Sequence, residues 1–154
     1  MEDLPGTYVL VIQMVRDTDL RVGRLGVVAF PRGYYCYVGS AMGPGGLRAR
    51  LARHLRQQKK PHWHIDYLLR QALVVETWSA PSAARLECAW LRTLLQLPGA
   101  TLPVGGFGSS DCHCPAHVVR FAFRPSLRAF ARQLQALGFE VVPHKATPQQ
   151  CIPG

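Results

Sequence analysis

The chain has 154 residues, 48% of them hydrophobic, which suffices for one sizeable core, falls short of two, and excludes a largely disordered polymer. Eighteen Lys and Arg against nine Asp and Glu give a formal charge of +9. The excess is confined to one block. Leu20 to Ile65 carries nine basic residues and no acidic one, while the rest holds nine of each and is neutral, so a polyanionic partner has an address in the chain. No apolar run approaches the ~20 residues that span a bilayer. The acidic start Met1-Glu-Asp-Leu-Pro lacks the basic and apolar regions of a secretory signal. Five cysteines, an odd number without framework spacing, read as reduced thiols. The expectation is an intracellular protein with no membrane contact.

In chain order, Gly6–Met14 is rich in β-branched and aromatic residues and predicts a central strand. Asp17–Asp19 predicts a turn. Arg21–Phe30 predicts a second strand, with Gly23 and Gly26 marking a bulge or bend, and Tyr34–Val38 a third. Short connections between them predict an antiparallel meander. A small-residue loop, Gly39–Gly46, leads into a helix over Leu47–Gln58. There Leu47, Leu51 and Leu55 recur on one face, and Arg50, Arg53 and His54 share another. Pro61 ends it. Further on, His64–Ala72 predicts a helix, Val74–Trp78 a short strand, and Ser82 the cap of a helix to about Leu97 with Leu86, Trp90 and Leu94 buried. Gly105–Ser110 reads as loop, Val118–Phe123 as strand, and Ser126–Leu137 as a helix stopped by Gly138. Strands first and helices after predict an α+β fold: a small antiparallel central sheet of about three strands flanked by helices, in one domain over 1–142, with 143–154 a loose tail.

The residues able to do chemistry gather around the tyrosine strands and the basic helix. Tyr8 lies on the first strand, Tyr37 and Gly39 end the third, and Arg50 and His54 stand one helical turn apart just beyond. Phenols, a guanidinium and an imidazole at the edge of a positive block are the groups that phosphodiester cleavage needs. One prepares the nucleophile, a cation stabilises charge on the phosphoryl oxygens, and a metal ion commonly assists.

Gly6-Thr-Tyr8 and Tyr37-Val-Gly39 resemble the paired motifs of the GIY-YIG nuclease superfamily, and Arg50 followed by His54 resembles that family's helix. Glu87, in Leu86-Glu-Cys-Ala-Trp90, stands where the family carries its metal-binding glutamate. The fuller wording Tyr37-Val-Gly-Ser-Ala-Met-Gly43 and His62-Trp-His-Ile-Asp-Tyr-Leu68 is similar to one branch, the domain-of-unknown-function family 123. The resemblance covers roughly Gly6 to Phe123. One departure is the extra strand-like segment between the motifs, over Met14–Gly33, which leaves Tyr34 or Tyr35 as alternatives to Tyr8 for the phenol beside Tyr37; Tyr8 is retained.

What the resemblance implies is a GIY-YIG-like fold and a metal-dependent endonuclease. Tyr8 would orient or deprotonate the attacking water with Tyr37 alongside, Arg50 would bind the scissile phosphate, and His54 would position a phosphate or help the nucleophile. Glu87 would hold one Mg²⁺ or Mn²⁺, and Gly6 and Gly39 would be structural parts of the motif. An ordinary tyrosine pKa near 10 means that a base role needs help from its surroundings. Nucleic acid, DNA before RNA, is the expected partner, held by Arg48, Arg53, Arg56, Lys59, Lys60, His62 and His64, with structure-selective cutting in repair or with a targeting protein. The bland alternatives are strand aromatics, a solvated basic face, and a tidy loop-to-helix junction in which Asp66 caps amides and Trp63 is core or a base-stacking platform. Two other functions compete: a non-catalytic nucleic-acid-binding module, and a zinc-stabilised interaction domain through Cys112, Cys114 and His117, whose ligand types suit zinc but whose spacing is tighter than usual.

Overall fold

The structure is a computed structural model and describes residues 3–56, 60, 63–103 and 117–148. The strands are β1 (Gly6–Met14), β2 (Thr18–Arg21), β3 (Val27–Phe30), β4 (Gly33–Ala41), β5 (Leu73–Pro81), β6 (Val118–Phe121) and β7 (His144–Ala146). The helices are α1 (Gly46–Leu55), α2 (His64–Leu69), α3 (Glu87–Leu95) and α4 (Leu127–Ala136).

β1 is the middle of an antiparallel five-stranded sheet of order β6-β4-β1-β5-β7. Its near-continuous apolar sequence follows from burial on both faces, because successive side chains point to opposite sides. Tyr8, Leu10, Ile12 and Met14 join Tyr35 and Tyr37 in a core roofed by Leu47 and Leu51 of α1 and by Ile65 and Leu68 of α2. Val9 and Val11 join Val38, Trp78, Trp90 and Phe130 in the second core, under α3 and α4. The molecule is therefore a helix–sheet–helix sandwich of the α+β class.

The sheet is larger than the three-stranded meander expected from the sequence, and differently connected. Gly23 and Gly26 adopt positive φ (48° and 77°) around a 3₁₀ turn over Gly23–Leu25. That turn breaks the expected Arg21–Phe30 strand and folds Thr18–Phe30 into a separate two-stranded hairpin of β2 and β3. Glycine tolerates these dihedrals at no steric cost, so two glycines three residues apart make a reversal rather than a bulge. With the hairpin set aside, β4 pairs directly with β1. β5 runs for nine residues rather than the short strand expected.

Other expectations are corrected as well. Thr18 and Asp19 belong to β2 rather than to a turn. Ser82 does not cap α3. Its amide donates to the Pro5 carbonyl and its hydroxyl is engaged with Ala84, and the helix begins only at Glu87. Ser126 does cap α4, accepting from the Ala129 amide at 3.3 Å. His144–Ala146, expected to be loose tail, forms the edge strand β7 against Thr77–Ser79. Glu76 anchors that edge. Its buried carboxylate accepts the Trp78 indole N–H at 2.6 Å and pairs with Arg124 at 2.5 Å and Lys145 at 3.5 Å. Cys36 is a free buried thiol, and Cys88 is disulfide-bonded, which corrects the reading of all cysteines as reduced. No helix among the described residues is long and apolar enough to cross a membrane. The expected loop over Gly105–Ser110 lies outside the described residues.

Gly6 sits where β1, β5 and α1 meet. A Cβ there would stand 2.3 Å from the Ala80 carbonyl oxygen and 2.7 Å from Leu47 Cδ1, whereas at Gly43 it would meet nothing within 4 Å. Backbone cannot yield as a flexible side chain can, so Gly6→Ala should cost about 1–3 kcal/mol, the range for overpacking. Gly43→Ala should change stability by no more than about 0.5 kcal/mol. Urea denaturation of the two variants checks the contrast.

Candidate active site

The register of β1 and β4 sets Tyr8 opposite Gly39 and Leu10 opposite Tyr37. A Cβ on Gly39 would lie 2.4 Å from the Tyr8 hydroxyl oxygen, so glycine is what lets the phenol cross the neighbouring strand. The Tyr8 hydroxyl then meets His54 Nε2 at 2.7 Å. α1 delivers that imidazole because it packs tightly against the chain before β1. Gly45 and Gly46 both have positive φ, the Leu47 amide donates to the Leu4 carbonyl, and a Cβ on Gly46 would stand 2.3 Å from the Asp3 and Leu4 carbonyl oxygens. Leu47 and Leu51 enter the core, which turns Arg50 and His54, one turn apart, toward the strand ends.

Tyr37 completes the cluster. Its ring centroid lies 6.5 Å from that of Tyr8, 6.1 Å from His54 and 6.3 Å from His117. Burial pushes the Tyr8 pKa up to about 12, opposed by the Arg50 guanidinium through its charge and a hydrogen bond. Burial pushes Tyr37 well up too, and the neighbouring Tyr8 adds to the effect. The alternative phenols do not reach this place. Tyr35 shares the face but donates to the Pro31 carbonyl, and Tyr34 packs on the opposite core.

Arg50 donates through Nη1 to the Ser40 carbonyl at 2.9 Å. The hydroxyl of the same serine donates to Glu87 Oε2. Glu87 opens α3 on the other side of the sheet, is 6% exposed, and has Arg85 Nη1 3.6 Å from Oε1. Ser40 thus joins the guanidinium and the carboxylate around the end of β4. Hard carboxylate oxygen matches Mg²⁺ or Mn²⁺, which need few protein ligands when water and substrate phosphate supply the rest. Among the described residues there is no group of three or more His, Cys, Asp and Glu that could hold a metal ion.

The remaining expected contacts divide. Arg53 is engaged within the fold, its guanidinium forking onto both Asp66 oxygens at 3.0 Å. Asp66 is 1% exposed and also accepts the Trp63 amide at 2.9 Å, as its expected capping role requires. Arg48 pairs with Asp3 at the surface, 3.2 Å apart, and Arg56 and Lys60 are exposed. His64 opens α2 and its pKa is lowered by burial. His117, proposed as a zinc ligand, is buried against Tyr37, and its carbonyl accepts the Val38 amide. Lys59, His62, Cys112 and Cys114 lie outside the described residues. Sequence reasoning missed Ser40 and Arg85. A serine after a strand-end glycine carries no signal of its own, and only the fold brings it to Glu87.

A family model described as "Domain of unknown function DUF123" matches residues 7–138. The chain belongs to this family. No curated protein and no solved structure matches the chain. Each element of the cluster, from Tyr8 to Glu87, lies within the span that the DUF123 model matches.

The two buried phenols have a consequence for alkaline stability. Their folded pKa values exceed the ordinary value of 10, so the unfolded chain ionises first as pH rises. Stability present below pH 10 should fall as pH passes through about 12, the folded value of Tyr8. Tyr8→Phe should flatten part of that fall, read as the urea midpoint between pH 9 and about 12.

Proposed function

We propose that this protein is a metal-dependent endonuclease hydrolysing phosphodiester bonds of nucleic acid, DNA before RNA. The observation that carries the reading is the 2.7 Å hydrogen bond between Tyr8 and His54 beside Arg50, with Glu87 joined to that arginine through Ser40. The GIY-YIG resemblance of the same residues supports it.

A phenol with a pKa near 12 is a poor base alone at neutral pH. Bonded to an imidazole, it needs no free phenolate. As a water oxygen attacks phosphorus, Tyr8 takes the water's proton while its own passes to His54 Nε2. The phosphorus–oxygen bond to the leaving sugar breaks, and that oxygen takes a proton from solvent. Arg50, held at the Ser40 carbonyl, offers its remaining N–H donors to the phosphoryl oxygens, where negative charge develops. Tyr37 packs beside the phenol, its ring centroid 6.5 Å away. Glu87 would hold a divalent ion, which supplies Lewis-acid stabilisation of the phosphoryl charge. The exposed cations around α1, Arg48 and Arg56 among them, would hold the backbone without reading sequence. That favours selection of substrate by its shape, or targeting by a partner protein, in repair.

Purified protein should cut at least one member of a panel of single-stranded, duplex, flap and junction substrates in Mn²⁺ or Mg²⁺, and EDTA should stop it. Glu87→Ala should lose cleavage and keep strand affinity. Arg50→Ala should slow cleavage by roughly 10²–10³-fold. Metal-independent binding without cleavage across the whole panel would leave a binding module as the better account.

A further inference from the structure

Trp63 stands between the proposed catalytic helix and α2. The Arg50 Cζ lies 4.7 Å from its ring centroid, the Arg53 Cζ 4.3 Å, and the His54 ring 5.8 Å. Two guanidinium groups over one indole repel each other unless one is neutralised. Asp66 does this: both of its oxygens take the Arg53 fork at 3.0 Å, and one of them also accepts the Trp63 amide at 2.9 Å. The carboxylate therefore fixes both the backbone that carries the indole and the cation beside it. Arg53, 20% exposed in its side chain, is held in place, and Arg50 is the cation over the ring that this carboxylate leaves uncompensated.

Arg50 needs such support. Its side chain is long, and the Ser40 carbonyl fixes one N–H at 2.9 Å. Beside the Ser40 bond and the hydrogen bond with Tyr8, the indole supplies a broad attraction that restrains the guanidinium without using up a donor. Preorganised donors are worth most when no reorganisation is left for the moment of reaction. We propose that Trp63, steadied by Asp66 and Arg53, is a positioning residue that holds the Arg50 guanidinium ready for a phosphate. The proposal rests on the nuclease reading for its consequence in catalysis, but the restraint itself does not.

Two measurements keep these apart. Relaxation of the Arg50 Nε–H signal, assigned by its loss in Arg50→Lys, should report a rigid side chain in the wild-type protein. It should report a mobile one in Trp63→Leu and a largely rigid one in Trp63→Phe, which restores an aromatic face. Asp66→Asn keeps the ring but unmasks the Arg53 charge, and should mobilise Arg50 as well, which serves if Trp63→Leu does not fold. An Arg50 equally rigid without the ring overturns the proposal whatever the activity. In single-turnover cleavage, Trp63→Leu should slow the reaction ten-fold or more with strand affinity within two-fold, and should add nothing in an Arg50→Ala background. An equal loss in both backgrounds means that Trp63 merely supports the fold, and also overturns the proposal. Absence of any wild-type cleavage, with Arg50 released by loss of the ring, sinks the nuclease reading and leaves the restraint standing.

Discussion

The pairing of β1 with β4 is the constraint on which the site depends. Because Tyr8 stands opposite a residue with no side chain, its phenol leaves the strand at a place where any other residue at position 39 would block it. A slip of one residue would send Tyr8 to the face of Val9 and Trp78 and bury its hydroxyl away from His54. The same register aligns Tyr37 on the Tyr8 face and Ser40 on the other. The end of β4 therefore gathers two sets of groups: phenols and imidazole on the α1 side, carboxylate on the α3 side. The Leu86 amide, which donates to Thr7 Oγ1 opposite Ser40, helps to bring Glu87 to that strand end.

Burial and charge act against each other in this cluster, and the balance accounts for its composition. Desolvation keeps both phenols neutral well above neutral pH, which suits a hydroxyl that passes a proton on rather than one that stores a charge. The positive block of the sequence resolves into groups with different duties. Arg50 borders the cluster, Arg53 is compensated by Asp66, Arg48 shares a weak surface pair with Asp3, and Arg56 and Lys60 face solvent. Net charge alone gave them one common role. Glu76, by contrast, is a buried acid on the α4 side that holds Trp78 of its own strand, Arg124 before α4 and Lys145 of β7.

Periodicity made β1, β4, the body of α1 and α4 legible, since each combines an apolar pattern with a clear stop or cap. Tyr8, Tyr37, Arg50 and His54 were legible through their order, and the fold brings them together. The hairpin was not, because two glycines in a strand pattern read equally as bulge or reversal, and only the pairing of β1 with β4 decides. The late start of α3 was hidden for a similar reason: Ser82 is a good cap by type, yet its amide closes onto Pro5. Arg53 and Asp66 looked like a strand-binding cation and a capping acid. Their bidentate pair joins residues 13 apart on two helices, a tertiary fact that spacing along one helix does not contain. Ser40 and Arg85 carried no pattern at all.

In the proposed reaction the Tyr8 hydroxyl takes part in proton transfer during phosphodiester cleavage. Its most direct test is the single-turnover rate of Tyr8→Phe on a strand that the wild-type protein cuts, at saturating enzyme and fixed Mn²⁺. That substitution keeps the ring that fills the core and removes only the oxygen bonded to His54. The account predicts a rate lower by roughly 10²–10⁴-fold with strand affinity retained, the size expected for losing a positioned proton-transfer group. An unchanged rate in a folded Tyr8→Phe protein would contradict it.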